Sequence, residues 1–134
     1  MVCLDTSFLI DVIHGKKLPE KFMDILAGEE SVSIATPTII EIIKGLHLKK
    51  NLNHVTEEEK NKINETISSS IILSLDKESS ILAGEIEAEL INKGEFIDIE
   101  DIMIGAIAIC NKETLITRNK KHFEKIPDLK IESY

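Results

Sequence analysis

The sequence predicts an α/β fold: a three-layer arrangement with a central parallel β-sheet of four to five strands flanked by helices, in one domain over residues 1–134. Three observations carry this expectation. Short β-branched runs alternate along the chain with helix-patterned segments, as strands joined by crossover helices do. Isoleucine dominates a composition that is 43% hydrophobic and only 4% aromatic, which suits strands buried on both faces. A chain of 134 residues is also long enough for one full core.

The elements follow in order. Residues 1–4 read as a buried strand, and residues 6–14 as a helix with Asp5 or Thr6 as its N-cap and Gly15 as its stop. Residues 18–27 suit an amphipathic helix opening near Pro19 and closing at Gly28. Residues 31–35 are a second strand, and Pro37 starts a helix that carries Glu41 to about Lys50. Residues 51–56 form a polar connection, after which Thr56-Glu57-Glu58-Glu59 is a capping-box start for a helix running towards Ser68. Residues 71–75 are a third strand. Asp76 caps a long helix with Ile81, Leu82, Ile86 and Leu90 on one face, ended by Gly94. Asp98 opens a helix that is apolar nearly all round from Ile102 to Cys110 and is therefore buried. Residues 115–117 are a strand, 119–125 a short helix and 129–132 a last strand.

A net charge of −8 argues against broad, non-specific nucleic-acid binding, although a local basic rim can serve an acidic centre. Three rims are available: Lys16, Lys17 and Lys21; His47 with Lys49 and Lys50; and Lys120, Lys121 and His122. Each also reads as solvated surface charge. Cys3 and Cys110 lie inside apolar runs and read as small buried hydrophobes, which fits a reducing cytoplasm. No basic leader opens the sequence, and the longest uncharged apolar run is about half the ~18 residues that span a membrane. The four histidines show no zinc spacing.

Four polar residues interrupt apolar surroundings: Asp5, Glu41, Asp101 and Asn119. Buried carboxylates are costly unless something positive sits between them, and several that converge point to a divalent metal and phosphate chemistry. Asp5 and Asn119 sit just past strand ends, where open parallel sheets place their ligands. Each has a plainer reading. Asp5 can cap the first helix, which does not prevent ligation as well. Glu41 can be a surface acid paired with Lys44, but isoleucine on both sides leaves it only a narrow polar sector. Asp101 can complete a capping box with Asp98, which itself reads first as a cap. Asn119 can end a turn. Gly45 and Gly105, each four residues on from an acid, leave room beside Glu41 and Asp101. Thr6, Ser7 and Thr117 bring hydroxyls to the same rim, either to orient ligands or to cap.

In this order the motifs resemble those of PIN-domain ribonucleases, most closely the compact VapC-type toxins of toxin–antitoxin pairs. Leu4-Asp5-Thr6-Ser7 with Phe8-Leu9-Ile10 is similar to the family's first motif, and residues 38–45 around Glu41 to its second. Asp101 with its small-residue helix through Ala108 resembles the third, and residues 115–123 the fourth. The ending from Ile126 to Ile131 matches as well, so the likeness covers essentially the whole chain. Two positions depart from the pattern. Asn119 stands where the family is often acidic, which removes one negative charge. Gly105 replaces a more usual alanine, a change expected to be harmless sterically while weakening the helix a little.

The resemblance implies an endoribonuclease that uses Mg²⁺ or Mn²⁺. In it Asp5 and Asp101 are direct ligands, Glu41 orients or deprotonates the attacking water, and Asn119 completes the shell or holds a metal-bound water. It also implies an RNA substrate, a homodimer, and a small antitoxin that covers the first helices. A non-catalytic interaction or RNA-binding module, and an RNA-processing nuclease with no toxin role, are alternatives. An aspartyl-phosphate enzyme ranks last, because Ser7 stands where a second acid is wanted.

Overall fold

The computed structural model describes residues 1–28, 31–48 and 54–134. Five short strands, β1 (Val2–Leu4), β2 (Val32–Ala35), β3 (Ile71–Leu73), β4 (Thr114–Thr117) and β5 (Ile131–Ser133), form one sheet in the order β3-β2-β1-β4-β5. Every neighbouring pair is parallel, with Cys3 opposite both Ser33 and Leu115. Because side chains alternate across a strand, adjacent residues feed opposite faces of the sheet. Cys3, Ala35 and Leu115 join one buried cluster with Ile86, Ile102, Ile107 and Phe123. Leu4, Ile34 and Ile116 join the other with Phe8, Phe22, Ile42 and Ile63. This two-sided burial is why the central strands are mostly apolar, with Ser33 and Thr117 as buried polar exceptions.

The helices cover the two faces. On one lie α1 (Thr6–Ile13), α2 (Met23–Leu26), α3 (Thr36–His47) and α4 (Glu57–Ser69); on the other lie α5 (Lys77–Asn92), α6 (Ile99–Cys110) and the short α7 (Lys120–Phe123). The capping box expected at Thr56 is formed: the Thr56 hydroxyl accepts from the Glu59 amide at 3.0 Å, and Glu59 accepts from the Thr56 amide at 3.1 Å. Asp76 caps α5 through the Ser79 amide at 2.9 Å. Gly15, Gly28 and Gly94 take positive φ after their helices, as C-terminal stops do.

Four expectations are corrected. The single helix over residues 18–27 is a 3-10 turn, Glu20–Phe22, followed by the one-turn α2. Phe22 leaves helical geometry at φ −99°, ψ 1° because its ring is held edge-on by Phe8 and Tyr134, with centroids 5.5 and 5.8 Å away. On α5 the buried stripe is Ser79, Ala83, Ile86 and Leu90, and Ile81 is 53% exposed. Ile81 lies two residues from Ser79, about 200° round the helix, and α5 turns towards α6 the face that leaves it outside. The last strand begins at Ile131 and not at residue 129. Cys110 is only partly buried; Cys3 is fully buried, and both are free thiols. The helix carrying Glu41 ends at His47, while Lys49, Lys50 and the first part of the 51–56 connection lie outside the described residues. Among the described residues no helix is long and apolar enough to cross a membrane.

Candidate active site

The strand order has one reversal. The chain steps from β1 outward through β2 to β3, then returns to β4 on the other side of β1. In open α/β sheets the ligand crevice lies at such a switch point, outside the carboxyl ends of the strands. Here those ends deliver Asp5, directly after β1, and Thr117, the last residue of β4.

Asp5 is 2% exposed and occupies the N-cap position of α1, yet its side chain caps nothing. Its Oδ2 instead accepts from the Thr117 hydroxyl at 2.7 Å and from the Ser7 hydroxyl at 2.9 Å. Each hydroxyl also accepts a backbone N–H: Arg118 donates to Ser7 at 3.1 Å and Asn119 to Thr117 at 3.0 Å. Those amides commit the hydroxyl protons to Asp5 and fix the carboxylate in one orientation. Oδ1 has no hydrogen-bond donor among the described residues.

Glu41 projects from the second turn of α3, half-buried, with Oε1 accepting from the Thr6 hydroxyl at 2.9 Å. Burial raises its pKa, and the charges of Asp101, Asp5 and Glu100 raise it further against the Thr6 hydrogen bond. Asp101 sits in the first turn of α6 with Oδ2 3.6 Å from His122 Nδ1. Burial first, and then the charge of Asp5, push its pKa up to about 6, with His122 acting in the opposite sense. The capping box between Asp98 and Asp101 does not form: Asp98 is exposed at the N-cap and makes no side-chain cap bond. The helix dipole already favours an acid in that first turn. Asn119 occupies the N-cap of α7, exposed and with no side-chain cap bond, and is joined to the group through its backbone.

Asp5, Glu41 and Asp101 therefore come from three separate elements and feel one another's charge. Carboxylate and hydroxyl oxygens are the donor set of a hard cation such as Mg²⁺ or Mn²⁺, and the mutual repulsion is what such a cation relieves. As the side chains stand, Glu41 is turned onto Thr6 and Asp101 towards His122. Among the described residues no three His, Cys, Asp or Glu side chains are close enough to surround one ion.

Gly105 does not do what its spacing suggested. A Cβ there would stand 2.8 Å from Ile126 Cδ1 and 3.5 Å from Leu129 Cδ2, so its open side receives Ile126 and not a ligand of Asp101. An alanine at this place therefore requires the end of the Ile126 side chain to shift. At Gly45 a Cβ would meet nothing within 4 Å, in agreement with the space expected beside Glu41. That space is a groove of about 320 Å³, walled by Ile10, Ile13, Ile42, Leu46 and Ile63 and opening on Glu41.

One acid was missed. Asp11, on α1 four residues after Ser7, is 2% exposed. Its carboxylate accepts from Arg118 Nη1 at 2.9 and 3.2 Å and from the Tyr134 hydroxyl at 2.8 Å, with Lys16 Nζ at 3.2 Å. Burial opposes its ionisation, but the hydrogen bonds from Tyr134 and Lys16 and the charge of Arg118 outweigh it and lower the pKa. The signal was available: Asp11 interrupts Leu9-Ile10-Asp11-Val12-Ile13 just as Glu41 interrupts its own apolar run. Thr38, one turn before Glu41, is fully buried, and its hydroxyl has no partner among the described residues.

The PIN domain family model matches residues 2–129. The chain is 32% identical over 133 residues to ribonuclease VapC1 of Methanocaldococcus jannaschii, covering 99% of this chain and 86% of that protein. It is 28% identical over 134 residues to ribonuclease VapC2 of Rickettsia felis, covering 98% and 96%. Among solved structures, VapBC2 from Rickettsia felis bound to a DNA fragment from its promoter superimposes with a TM-score of 0.81 at 27% identity, covering 100% of this chain and 99% of that one.

Proposed function

The chain belongs to the PIN domain family, and on that premise we propose that it is a metal-dependent endoribonuclease, the toxin of a type II toxin–antitoxin pair acting in the cytoplasm as one domain over residues 1–134. The observation that carries the reading is the electrostatic coupling of Asp5, Glu41 and Asp101 at the switch point of the sheet. Asp5 and Asp101 are the direct ligands of Mg²⁺ or Mn²⁺. When bound, the cation supplies Lewis acidity at the phosphate and lowers the pKa of a water.

The chain's own residues do the rest. Thr117 and Ser7 hold Asp5 Oδ2 and leave Oδ1 for ligation. Glu41, made more basic by burial and by its acidic neighbours, takes the proton of the attacking water, and Thr6 fixes the oxygen that does not. The exposed Asn119 amide completes the polar rim, with Asp98 further out. In-line attack at phosphorus breaks the bond to O3′ and leaves a 5′-phosphate and a 3′-hydroxyl.

Two partners follow from the same reading. The relative from Rickettsia felis is named VapC2, and its solved structure is a VapBC2 complex. A small antitoxin suits the apolar groove beside Glu41. A homodimer suits the apolar surface left outside the core, where Ile40 is 63% and Phe96 81% exposed. The test is RNA cleavage with added Mn²⁺ by wild type, Asp5→Asn and Glu41→Gln. Loss of cleavage in both variants and in EDTA is expected; equal activity in all three, or activity that survives EDTA, sinks the proposal.

A further inference from the structure

We infer that Arg118 and Lys16, organised on the buried carboxylate of Asp11, form with Lys120 and Lys121 a phosphate track for single-stranded RNA beside the acidic site. The inference rests on the proposed ribonuclease function and adds where the substrate's backbone lies. In sequence, Lys16-Lys17 and Lys120-Lys121 are separate rims more than a hundred residues apart. In the fold Lys16 meets Arg118, two residues before Lys120, because both approach Asp11 Oδ1, at 3.2 and 2.9 Å.

The location follows from bonded contacts. Arg118 directly succeeds Thr117, which touches Asp5, and the Arg118 amide donates to Ser7, which touches Asp5 as well. On the other side His122 approaches Asp101 at 3.6 Å. The exposed Lys120 and Lys121 lie in the chain between those two anchor points. The track therefore starts at the acids and runs away from them over the Asp11 side of α1.

The arrangement suits phosphate better than a structural lock alone requires. Asp11 engages Arg118 only through Nη1, and the guanidinium's other donors find no acceptor among the described residues. Both cations remain about half exposed, at 46% for Arg118 and 56% for Lys16. One carboxylate faces two cations, so the anchor keeps a net positive charge on a chain of net charge −8. A fixed guanidinium fork loses little entropy on meeting a phosphate. A protein this acidic repels RNA from much of its surface, and a local basic strip then sets the approach.

The test measures binding of a single-stranded RNA oligonucleotide to the full chain in EDTA by fluorescence anisotropy, from about 50 to about 200 mM salt. Wild type is compared with Lys16→Gln/Arg118→Gln and with Lys120→Gln/Lys121→Gln; the exposed side chains of the second pair make no hydrogen bond or ion pair among the described residues, and that pair guards against misfolding of the first. Each lost phosphate contact should reduce the slope of log K against log salt by about 0.7, so each double variant should lose about 1.4 and about sevenfold of its salt sensitivity over that range. Arg118→Lys should recover part of the loss. Unchanged slopes in both folded double variants overturn the inference, as do slopes that change for an acidic peptide and not for RNA. Binding that follows these slopes, in a protein that cuts no RNA, keeps the track and fails the ribonuclease; cleavage with flat slopes does the reverse.

Discussion

Replacing Asp101 with asparagine should stabilise the metal-free protein at neutral pH, and the gain should fade in acid. The Asp101 side chain is 16% exposed, and burial followed by the charge of Asp5 raises its pKa from 3.8 to about 6. In the unfolded chain the carboxyl returns to its ordinary value of about 3.9. Between those two values the native state binds more protons than the unfolded state, so stability falls as pH rises through the window and stays reduced above it. Linkage makes the destabilisation small at about pH 4 and on the order of a few kcal/mol at about pH 7. Asparagine removes it while nearly preserving shape. The contact with His122, whose side chain is 60% exposed, already opposes the rise in pKa and so is contained in the value of about 6. Urea denaturation in EDTA should therefore find Asp101→Asn about 2–3 kcal/mol more stable than wild type at about pH 7, with the difference below about 1 kcal/mol at about pH 4. Excess Mg²⁺ should close the gap by binding native wild type alone. A variant no more stable than wild type at neutral pH in EDTA would refute the claim that these acids repel one another.

Three further outcomes follow. Thr117→Val keeps the shape and removes the 2.7 Å hydrogen bond to the buried Asp5 carboxylate; chemical denaturation should show a loss of about 1.5–3 kcal/mol, largely recovered by Thr117→Ser. Asp11→Asn removes the charge that holds Arg118, Lys16 and Tyr134, and because both cations stay about half exposed it should destabilise by only about 1–2 kcal/mol at neutral pH. Because the folded pKa of Asp11 is lowered, its contribution is present above the unfolded pKa and lost as pH falls through the folded one, so denaturation curves of variant and wild type should converge in acid. Gly105→Ala gains about 1 kcal/mol of helix propensity but sets a methyl group 2.8 Å from Ile126 Cδ1, and the shift this forces on the end of that side chain offsets part of the gain. Ile126→Val, which deletes that atom, should therefore be less harmful in the alanine background than in wild type, as a favourable coupling in a double-mutant cycle.

The elements were legible because their signals are local. Short β-branched apolar runs identified the strands, and the Thr56–Glu59 and Asp76 caps marked helix starts to within a residue. Interrupted apolar runs located Asp5, Glu41 and Asp101, since a carboxylate in isoleucine-rich surroundings needs a reason whatever the fold. The misreadings at Ile81, Phe22 and Gly105 share a cause: each depends on which neighbour arrives from elsewhere. α6 chooses the face of α5, Phe8 and Tyr134 bend the chain at Phe22, and Ile126 fills the notch at Gly105.

The kind of chemistry, oxygen donors and negative charge beside short parallel strands, was written in residue types and periodicity. Its geometry was not, because it depends on β4 inserting beside β1 and so bringing Thr117 within 2.7 Å of an aspartate 112 residues earlier. The same insertion sets Arg118 on Asp11 beside Lys16, two cations that look unrelated along the chain. Hydrogen bonds and Coulomb forces act over a few ångströms whatever the sequence separation, so they appear only once the sheet has chosen its strand order.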